Sequence, residues 1–300
     1  MGQLTGPRHS ERENRALELA VAAGNRAGVP VAEAAILRVG TSVLVELPAA
    51  HAVARIEDDA RCGWRQWHAA RAFDVCGAPT LRLLDRELPP HEHGEHLVTL
   101  WQRVQRVAEP TMAQLGQAVR QVHDCTREHV DDDVVPLDPC GLIRGQLTAA
   151  THWSESDRTA LLQQLEELAA EWPELVRGDP LGTVIAHGDV HGDNALVGPE
   201  GLVLLDLEHS GTGPASWDLV VLAVAVRQYR FPPADYRAFT DGYGARADEW
   251  SGFESMCRLY ELMVTAWAIA CSPYSTRLAE EACVRADTLL GRQARVWTLL

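Results

Sequence analysis

The feature that most restricts how this chain can fold is a polar loop between two short apolar segments in its second half. The apolar segments cover residues 183–186 and 202–205, and the loop opens with the sequence HGDVHGDN at residues 187–194. The second segment leads directly into Asp206 and Glu208. Short apolar runs beside a Pro-Glu-Gly turn are typical of strands. The pattern therefore predicts several carboxylates on loops between short strands, inside a region that is otherwise helical.

These polar residues have the types and the spacing that phosphoryl transfer needs. The reaction needs a carboxylate that orients and deprotonates the acceptor hydroxyl, and oxygen ligands that hold Mg²⁺ on the phosphates. Asp189 is the candidate catalytic base, and Asn194 follows it at the spacing of a kinase catalytic loop. Asp206 stands where kinases have a metal-binding aspartate. We therefore predict Mg²⁺ binding by Asn194, Asp206 and Glu208, since Mg²⁺ prefers such oxygen ligands.

The charge of the chain narrows the range of partners. It has 42 acidic and 27 basic residues, a formal net charge of −15, and every basic residue other than histidine is an arginine. An acidic chain repels nucleic acids and anionic lipids, so we expect neither as a partner. The excess negative charge favours a cationic substrate, although a solubilising surface explains it equally well. Without lysine the chain cannot form a P-loop, and any phosphate anchor must be an arginine.

Cysteine spacing and hydropathy predict a cytoplasmic protein. The seven cysteines include no C-x-x-C pair, which argues against a disulfide framework and a thiolate zinc site. Residues 1–15 are polar, and the longest apolar run, residues 219–226, is far shorter than the ~18 residues of a membrane span.

Hydrophobic periodicity divides the chain into two parts. The first part alternates as strands do, with predicted strands at residues 35–39, 42–47, 51–57, 80–84 and 97–104 and helices at 11–27 and 62–75. A His-rich connecting loop is expected at residues 91–96. Beyond Pro110 the spacing is helical, with predicted helices at residues 112–127, 155–171 and 234–300. We therefore predict an α+β fold with an antiparallel-sheet lobe at residues 1–103 and a mainly helical lobe at residues 104–300.

Taken together, the motifs resemble those of the aminoglycoside phosphotransferase and choline-kinase-like family. The resemblance is carried by HGDxHxxN at residues 187–194, DxE at 206–208 and GPASWDL at 213–219, with weaker matches at 77–79 and 122–123. It implies a protein-kinase-like fold with ATP or GTP between two lobes. It also implies that Asp189 is the base, that Asn194 and Asp206 hold the metal, and that Asp218 is structural.

The nucleotide lobe departs from the kinase pattern at its phosphate anchor. By the resemblance, Arg55 stands where kinases have a strand lysine, and Val53 shares its strand face, where it could pack on adenine. The position of the kinase helix glutamate falls on Gln66, which cannot form an ion pair. Either Gln66 suffices, or activity is reduced, or one of three acids near the strand pairs with Arg55: Glu57, Asp58 or Asp59.

Two further segments of this lobe are candidates for nucleotide contacts. The small-residue turn at residues 40–42, with Ser42, resembles the turn that covers the phosphates. Gln102 and Val104, at the end of the last strand of the lobe, are candidates for hinge contacts to adenine.

The sequence therefore predicts a Mg²⁺-dependent kinase that transfers the γ-phosphoryl group of ATP or GTP to a hydroxyl of a small molecule. Aminoglycosides and other cationic amines are candidate acceptors. The acceptor pocket is expected along residues 155–171 and around Trp250, Glu254, Tyr260 and Glu261.

Two alternatives stay open. Arg55 and Gln66 suggest a nucleotide-binding pseudokinase that acts by interaction. The alternating polar residues of the loop would also suit a dinuclear metallohydrolase, with ligands at His187, Asp189, His191, Asp193, Asp206 and His209.

Overall fold

A five-stranded antiparallel sheet forms the first part of the chain, within the residues that the computed structural model describes, 7–127 and 133–300. Its strands are β1 (Ala35–Val39), β2 (Val43–Leu47), β3 (Ala52–Glu57), β4 (His91–His93) and β5 (His96–Gln102), in the order β1-β2-β3-β5-β4. Side chains alternate across a strand. Ala52, Ala54 and Ile56 of β3 join one apolar core, so Val53 and Arg55 lie on the opposite face.

Two helices pack against this sheet. Helix α1 (Pro7–Arg26) buries Leu19, Ala20 and Ala23 on the face that carries Ala54. Helix α2 (Ala60–Cys76) is capped at its start by Asp59, whose side chain accepts from the Arg61 N–H. At its end it is capped by Gly77, which lies in the left-handed region with a φ of 73°. Such a cap satisfies backbone groups that the first and last turns leave unpaired.

The second part of the chain is mainly helical. Its helices are α3 (Met112–Arg127), α4 (Pro139–Ala149), α5 (Glu155–Gly178), α6 (Trp217–Tyr229), α7 (Pro233–Tyr243), α8 (Gly252–Cys271) and α9 (Thr276–Leu289). Two antiparallel strand pairs lie among them: β6 (Thr183–Ala186) with β9 (Gly211–Pro214), and β7 (Ala195–Gly198) with β8 (Gly201–Leu204). These pairs hold the polar loop, because β6 ends just before His187 and β7 begins just after Asn194. Among the described residues, none of the helices has the combined length and hydropathy of a membrane span.

The larger apolar core joins the two parts of the chain. It includes Trp67 and Phe73 of α2 and Trp101 of β5 together with the helices of the second part. Packing therefore does not separate the chain at one residue, and the division at residues 103 and 104 stays a prediction.

Several predicted elements differ in the structure. Helix α3 and strand β6 have the predicted bounds, whereas the predicted helix at 234–300 is broken into α7, α8 and α9, partly by Gly244, which has a φ of 80°. Residues 80–84 form isolated bridges rather than a strand. The Leu84 N–H donates to the Leu100 carbonyl, whereas the Leu81 N–H donates to the Leu204 carbonyl of the other part. Residues 91–93, expected in a loop, form the short strand β4.

Candidate active site

The loop after β6 is anchored by Asp218, at the start of α6. Both carboxylate oxygens of Asp218 accept backbone hydrogen bonds, from the His187 N–H at 2.8 Å and the Gly188 N–H at 2.7 Å. His123 of α3 also contacts Asp218, with 2.8 Å between Nε2 and Oδ2. Burial works to raise the pKa of Asp218, but its hydrogen bonds and the charge of His123 outweigh it, so that the pKa lies below the usual value. Asp218 is thus a buried structural carboxylate, as the resemblance implies.

His187 holds the loop to the strand that precedes Asp206. Its Nε2 lies 2.7 Å from the Leu205 carbonyl oxygen, and its Nδ1 lies 3.4 Å from the Asp189 N–H. Burial lowers the pKa of His187, which keeps the ring neutral, with Nε2 as donor and Nδ1 as acceptor. The Leu205 N–H in turn donates to the backbone carbonyl of Asn194 at 2.8 Å. The segment before Asp206 is therefore hydrogen-bonded to the loop that carries Asp189 and Asn194.

The Asp189 carboxylate is contacted on both oxygens. Oδ1 accepts a hydrogen bond of 2.9 Å from the Tyr260 hydroxyl of α8. Oδ2 accepts one of 3.2 Å from the Asn194 amide and lies 3.3 Å from His191 Nε2. Burial would raise the pKa of Asp189, yet the hydrogen bonds from His191 and Tyr260 and the nearby histidine charges lower it well below its ordinary value. The group is therefore an ionised carboxylate at neutral pH, which is the state a base requires.

Asp206 and Glu208 follow β8 in a backbone turn. Asp206 has a φ of 58°, in the left-handed region that costs energy for a residue other than glycine. Burial and the neighbouring charge of Asp206 raise the pKa of Glu208. Two carboxylates in this environment need a cation close by.

Arg55 supplies positive charge at this point. Its guanidinium lies 3.1 Å from Asp206 Oδ1 and 3.1 Å from Glu208 Oε2, and a third contact, from Nε, goes to Glu57. Burial alone would lower the pKa of Arg55, but the charges of Asp206, Glu57 and Glu208 raise it above its ordinary value. Arg55 thus joins β3 to the loop after β8 and stays charged.

Glu57 is the acid that contacts Arg55 among those that the sequence left open. It lies two residues beyond Arg55, on the same face of β3, and it accepts a hydrogen bond of 2.9 Å from Gln66 of α2. Asp58 instead pairs with Arg12 at 2.8 Å and lies 3.2 Å from His96, while Asp59 caps α2. Gln66 therefore reaches Arg55 through Glu57.

The remaining predicted nucleotide residues lie along the same sheet. Val53 shares a face of β3 with Arg55 and pairs with Trp101 in register. Ser42 is buried, and its carbonyl accepts from the Gly40 N–H at 2.9 Å. The nucleotide contacts of Val53 and Ser42 stay a prediction.

Gln102 and Val104 line a cavity of about 700 Å³ with residues 77–80 and 198–203. The Gln102 N–H already donates to the Arg82 carbonyl, and the Arg103 N–H to that of His51. Val53, Arg55 and Asp206 are not among the residues that line this cavity. The hinge contacts of Gln102 and Val104 stay a prediction.

Two of the residues expected to line the acceptor pocket are acids that share an ion pair. Glu254 and Glu261 of α8 both pair with Arg227 at 2.8 Å, so the single positive charge of Arg227 offsets part of their negative charge. Trp250 packs against the core. Tyr260 was predicted to line the acceptor pocket, but its contact with Asp189 was not predicted. An aromatic residue in an apolar helix has the sequence pattern of a core residue.

The arrangement as a whole defines a class of protein. A sheet that carries a buried cation, a loop that carries a carboxylate and an asparagine, and a carboxylate pair between them are the parts of a protein-kinase-like phosphotransferase. The predicted α+β, kinase-like fold is confirmed by the solved structures that the chain resembles.

The sequence profile of the phosphotransferase enzyme family matches residues 30–256. The chain therefore belongs to this family, and the predicted enzyme class, a phosphotransferase with an alcohol group as acceptor, is confirmed. Membership places the chain among phosphotransferases rather than metallohydrolases. A search of curated proteins gave no match.

Three solved structures illustrate the likeness of fold. Amicoumacin kinase hAmiN, in complex with AMP-PNP, Ca²⁺ and Ami, is 14% identical, with a TM-score of 0.72 and 97% of each chain covered. A choline/ethanolamine kinase family protein from Mesorhizobium loti is 17% identical, with a TM-score of 0.61 and 91% and 94% coverage of this chain and that one. Aminoglycoside phosphotransferase APH(3'')-Id from Streptomyces rimosus, with ADP and streptomycin, is 17% identical, with a TM-score of 0.58 and 82% and 97% coverage.

Proposed function

We propose that this phosphotransferase is a Mg²⁺-dependent kinase that transfers the γ-phosphoryl group of ATP or GTP to a hydroxyl of a small molecule. The observation that carries the proposal is the contact of Arg55 with Asp206 and Glu208 at 3.1 Å each. It joins the predicted phosphate anchor of the first half of the chain to the predicted metal ligands of the second half.

The residues present suit a divalent cation with oxygen ligands. Asp206 Oδ1 is buried and makes no hydrogen bond within the described part of the chain, although it lies near Arg55. The side-chain amide of Asn194 donates its hydrogens to Asp189. Its side-chain carbonyl oxygen is therefore the atom that Asn194 would offer to the cation. Asn194, Asp206 and Glu208 would hold Mg²⁺, which, when bound, would neutralise charge on the transferred phosphate.

The chain's own residues have distinct roles in this proposal. Asp189 accepts the proton of the acceptor hydroxyl and orients its oxygen toward the phosphate. Arg55, steadied by Glu57 and Gln66, binds phosphate oxygens as a charged fork. Val53, Ser42, Gln102 and Val104 are proposed to contact the nucleotide.

The proposed acceptor is a hydroxylated small molecule, and cationic antibiotics and amines are its first candidates. This is supported by the family and by the solved structures of similar fold, which include kinases with bound amicoumacin and streptomycin. A cytoplasmic location is part of the same proposal.

Two measurements test the function. Calorimetry with AMP-PNP and with GMP-PNP should show binding of at least one of them that strengthens when Mg²⁺ is added. ADP production from ATP or GTP is then measured with streptomycin, spectinomycin, choline, ethanolamine and amicoumacin, with and without Mg²⁺. A phosphorylated acceptor identified by mass spectrometry supports the kinase. Lack of Mg²⁺-dependent nucleotide binding would contradict it.

A further inference from the structure

Within residues 7–127 and 133–300, the Asp189 carboxylate accepts one hydrogen bond from outside its own loop. His191 and Asn194, which contact Oδ2, belong to the same loop as Asp189, whereas Tyr260, which contacts Oδ1, belongs to α8. The two residues Asp189 and Tyr260 are 71 positions apart in the chain. The orientation of the carboxylate is therefore coupled to the helix that was expected to line the acceptor pocket.

Tyr260 is held so that its hydroxyl meets Asp189. Only 5% of the residue is exposed, and its ring packs edge-on against Trp217 at 6.0 Å between centroids. The Trp217 indole N–H donates to the Gly188 carbonyl at 3.1 Å, so the same tryptophan contacts both the loop and the tyrosine ring. A buried hydroxyl without a partner is costly. The hydrogen bond to Oδ1 is thus the way in which this hydroxyl is satisfied.

The other oxygen of Asp189, Oδ2, lies 3.3 Å from a partly exposed histidine. Its neighbour His191 has a side chain that is 38% exposed, and the Asp189 side chain itself is 23% exposed. An acceptor hydroxyl therefore approaches from the His191 side and meets Oδ2. Once Oδ1 is bound by Tyr260, rotation of the carboxylate about its last bond is restricted, and Oδ2 keeps one orientation toward the acceptor.

We infer that Tyr260 is a positioning residue, which fixes the Asp189 carboxylate for proton transfer from the acceptor hydroxyl. The inference rests on the proposed function, in which Asp189 is the base. In this role Tyr260 acts through Asp189, by the hydrogen bond from its hydroxyl to Oδ1.

The test is a double-mutant cycle in turnover. Tyr260→Phe keeps the ring on Trp217 and removes only the hydroxyl. Because a hydrogen bond to a charged group is lost, kcat should fall roughly ten- to a hundredfold, while the acceptor KM and the AMP-PNP Kd change by less than about twofold. In the Asp189→Asn background the same change should cause no further fall, because a residue that acts through Asp189 has no effect without it.

Tyr236→Phe is the matched control, since the Tyr236 hydroxyl is buried and has no hydrogen-bond partner among the described residues. Its kcat should equal that of the unmodified protein. All variants are assayed with the acceptor that gives the fastest ADP production, and also for MgATP hydrolysis with water as acceptor.

The outcomes distinguish a failed positioning role from a failed base assignment. Equal losses from Tyr260→Phe in both backgrounds, an unchanged kcat, or an effect confined to the acceptor KM would each overturn the positioning role. If Asp189→Asn itself retains full turnover, the base assignment fails instead, and the positioning role fails with it. The proposed function fails only if the unmodified protein phosphorylates no acceptor.

Discussion

Exchanging Glu57 and Gln66 tests how Arg55, the proposed phosphate anchor, is held. In protein kinases a helix glutamate pairs with the anchoring side chain, whereas here the carboxylate belongs to β3 and the helix supplies an amide. The Gln66 amide lies 2.9 Å from Glu57 Oε1, and the same oxygen contacts Arg55. The exchange Glu57→Gln with Gln66→Glu moves the carboxylate to α2 and keeps the number of charges constant.

Each single substitution should weaken nucleotide binding, and the two do so for different reasons. Glu57→Gln removes a charge-assisted contact worth about 1.5–3 kcal/mol, which corresponds to a loss of roughly ten- to a hundredfold in nucleotide affinity. We expect the lower end, because Arg55 keeps Asp206 and Glu208. Gln66→Glu places a second carboxylate beside Glu57, with a repulsion of up to about 6 kcal/mol at an effective dielectric constant of about 20, unless one group is protonated.

The double exchange should recover most of the affinity, because the carboxylate introduced on α2 then faces an amide on β3 instead of a second acid. One carboxylate and one amide again lie next to Arg55, so the two single losses do not add. A rescue of this kind is the signature of two residues that act as one unit.

Calorimetric titration with AMP-PNP and Mg²⁺ is the assay, because it needs no knowledge of the acceptor. Asp58→Asn is the matched control. It removes the neighbouring carboxylate, which pairs with Arg12 and His96 rather than with Arg55, and affinity should stay within about twofold. An unchanged affinity in Glu57→Gln, or an exchange variant no better than the worse single variant, would refute the reasoning.

Three further changes test other parts of the site. Arg55→Ala should lower catalytic efficiency about ten- to a hundredfold in steady-state kinetics, and an unimpaired variant would remove the anchor assignment. Asp206→Ala should weaken AMP-PNP binding more with Mg²⁺ than without it, and equal losses in calorimetry would contradict the metal assignment. Asp218→Asn should lower the free energy of unfolding by about 3–5 kcal/mol in urea, because a fully buried, hydrogen-bonded charge is lost. Since the pKa of Asp218 is below its ordinary value of 3.8, this contribution is present above that pH and is lost as the pH falls through the folded-state pKa; a loss of stability equal at all pH values would contradict it.

Apolar periodicity predicted those helices and strands whose packing follows from the residues within the element itself. Helix α3 and strand β6 were found with their predicted bounds, since their apolar periodicity agrees with their packing. The strand predicted at residues 80–84 was wrong because its hydrogen bonds are divided between Leu100 and Leu204. Such a division depends on tertiary contacts that no local periodicity encodes.

The same distinction holds for the candidate site. The positions of Asp189, Asn194 and Asp206 follow a linear motif, and could be selected from the sequence. The contact of Tyr260 with Asp189 and the choice of Glu57 over Asp58 depend on helix and strand packing. A contact between residues 71 positions apart can be identified only once the fold is known. The same holds for a choice between neighbouring acids that differ in the direction of their side chains.

The turnover of Asp189→Asn shows whether Asp189 accepts the proton of the acceptor hydroxyl. The substitution keeps the size of the side chain and removes its negative charge, so the variant cannot accept the acceptor proton. We predict a fall in kcat on the order of 10²–10⁴-fold, with an AMP-PNP Kd within about twofold of the unmodified protein. Turnover near that of the unmodified protein, with the same acceptor and Mg²⁺ concentration, would contradict the claim that Asp189 is the base of a phosphoryl transfer.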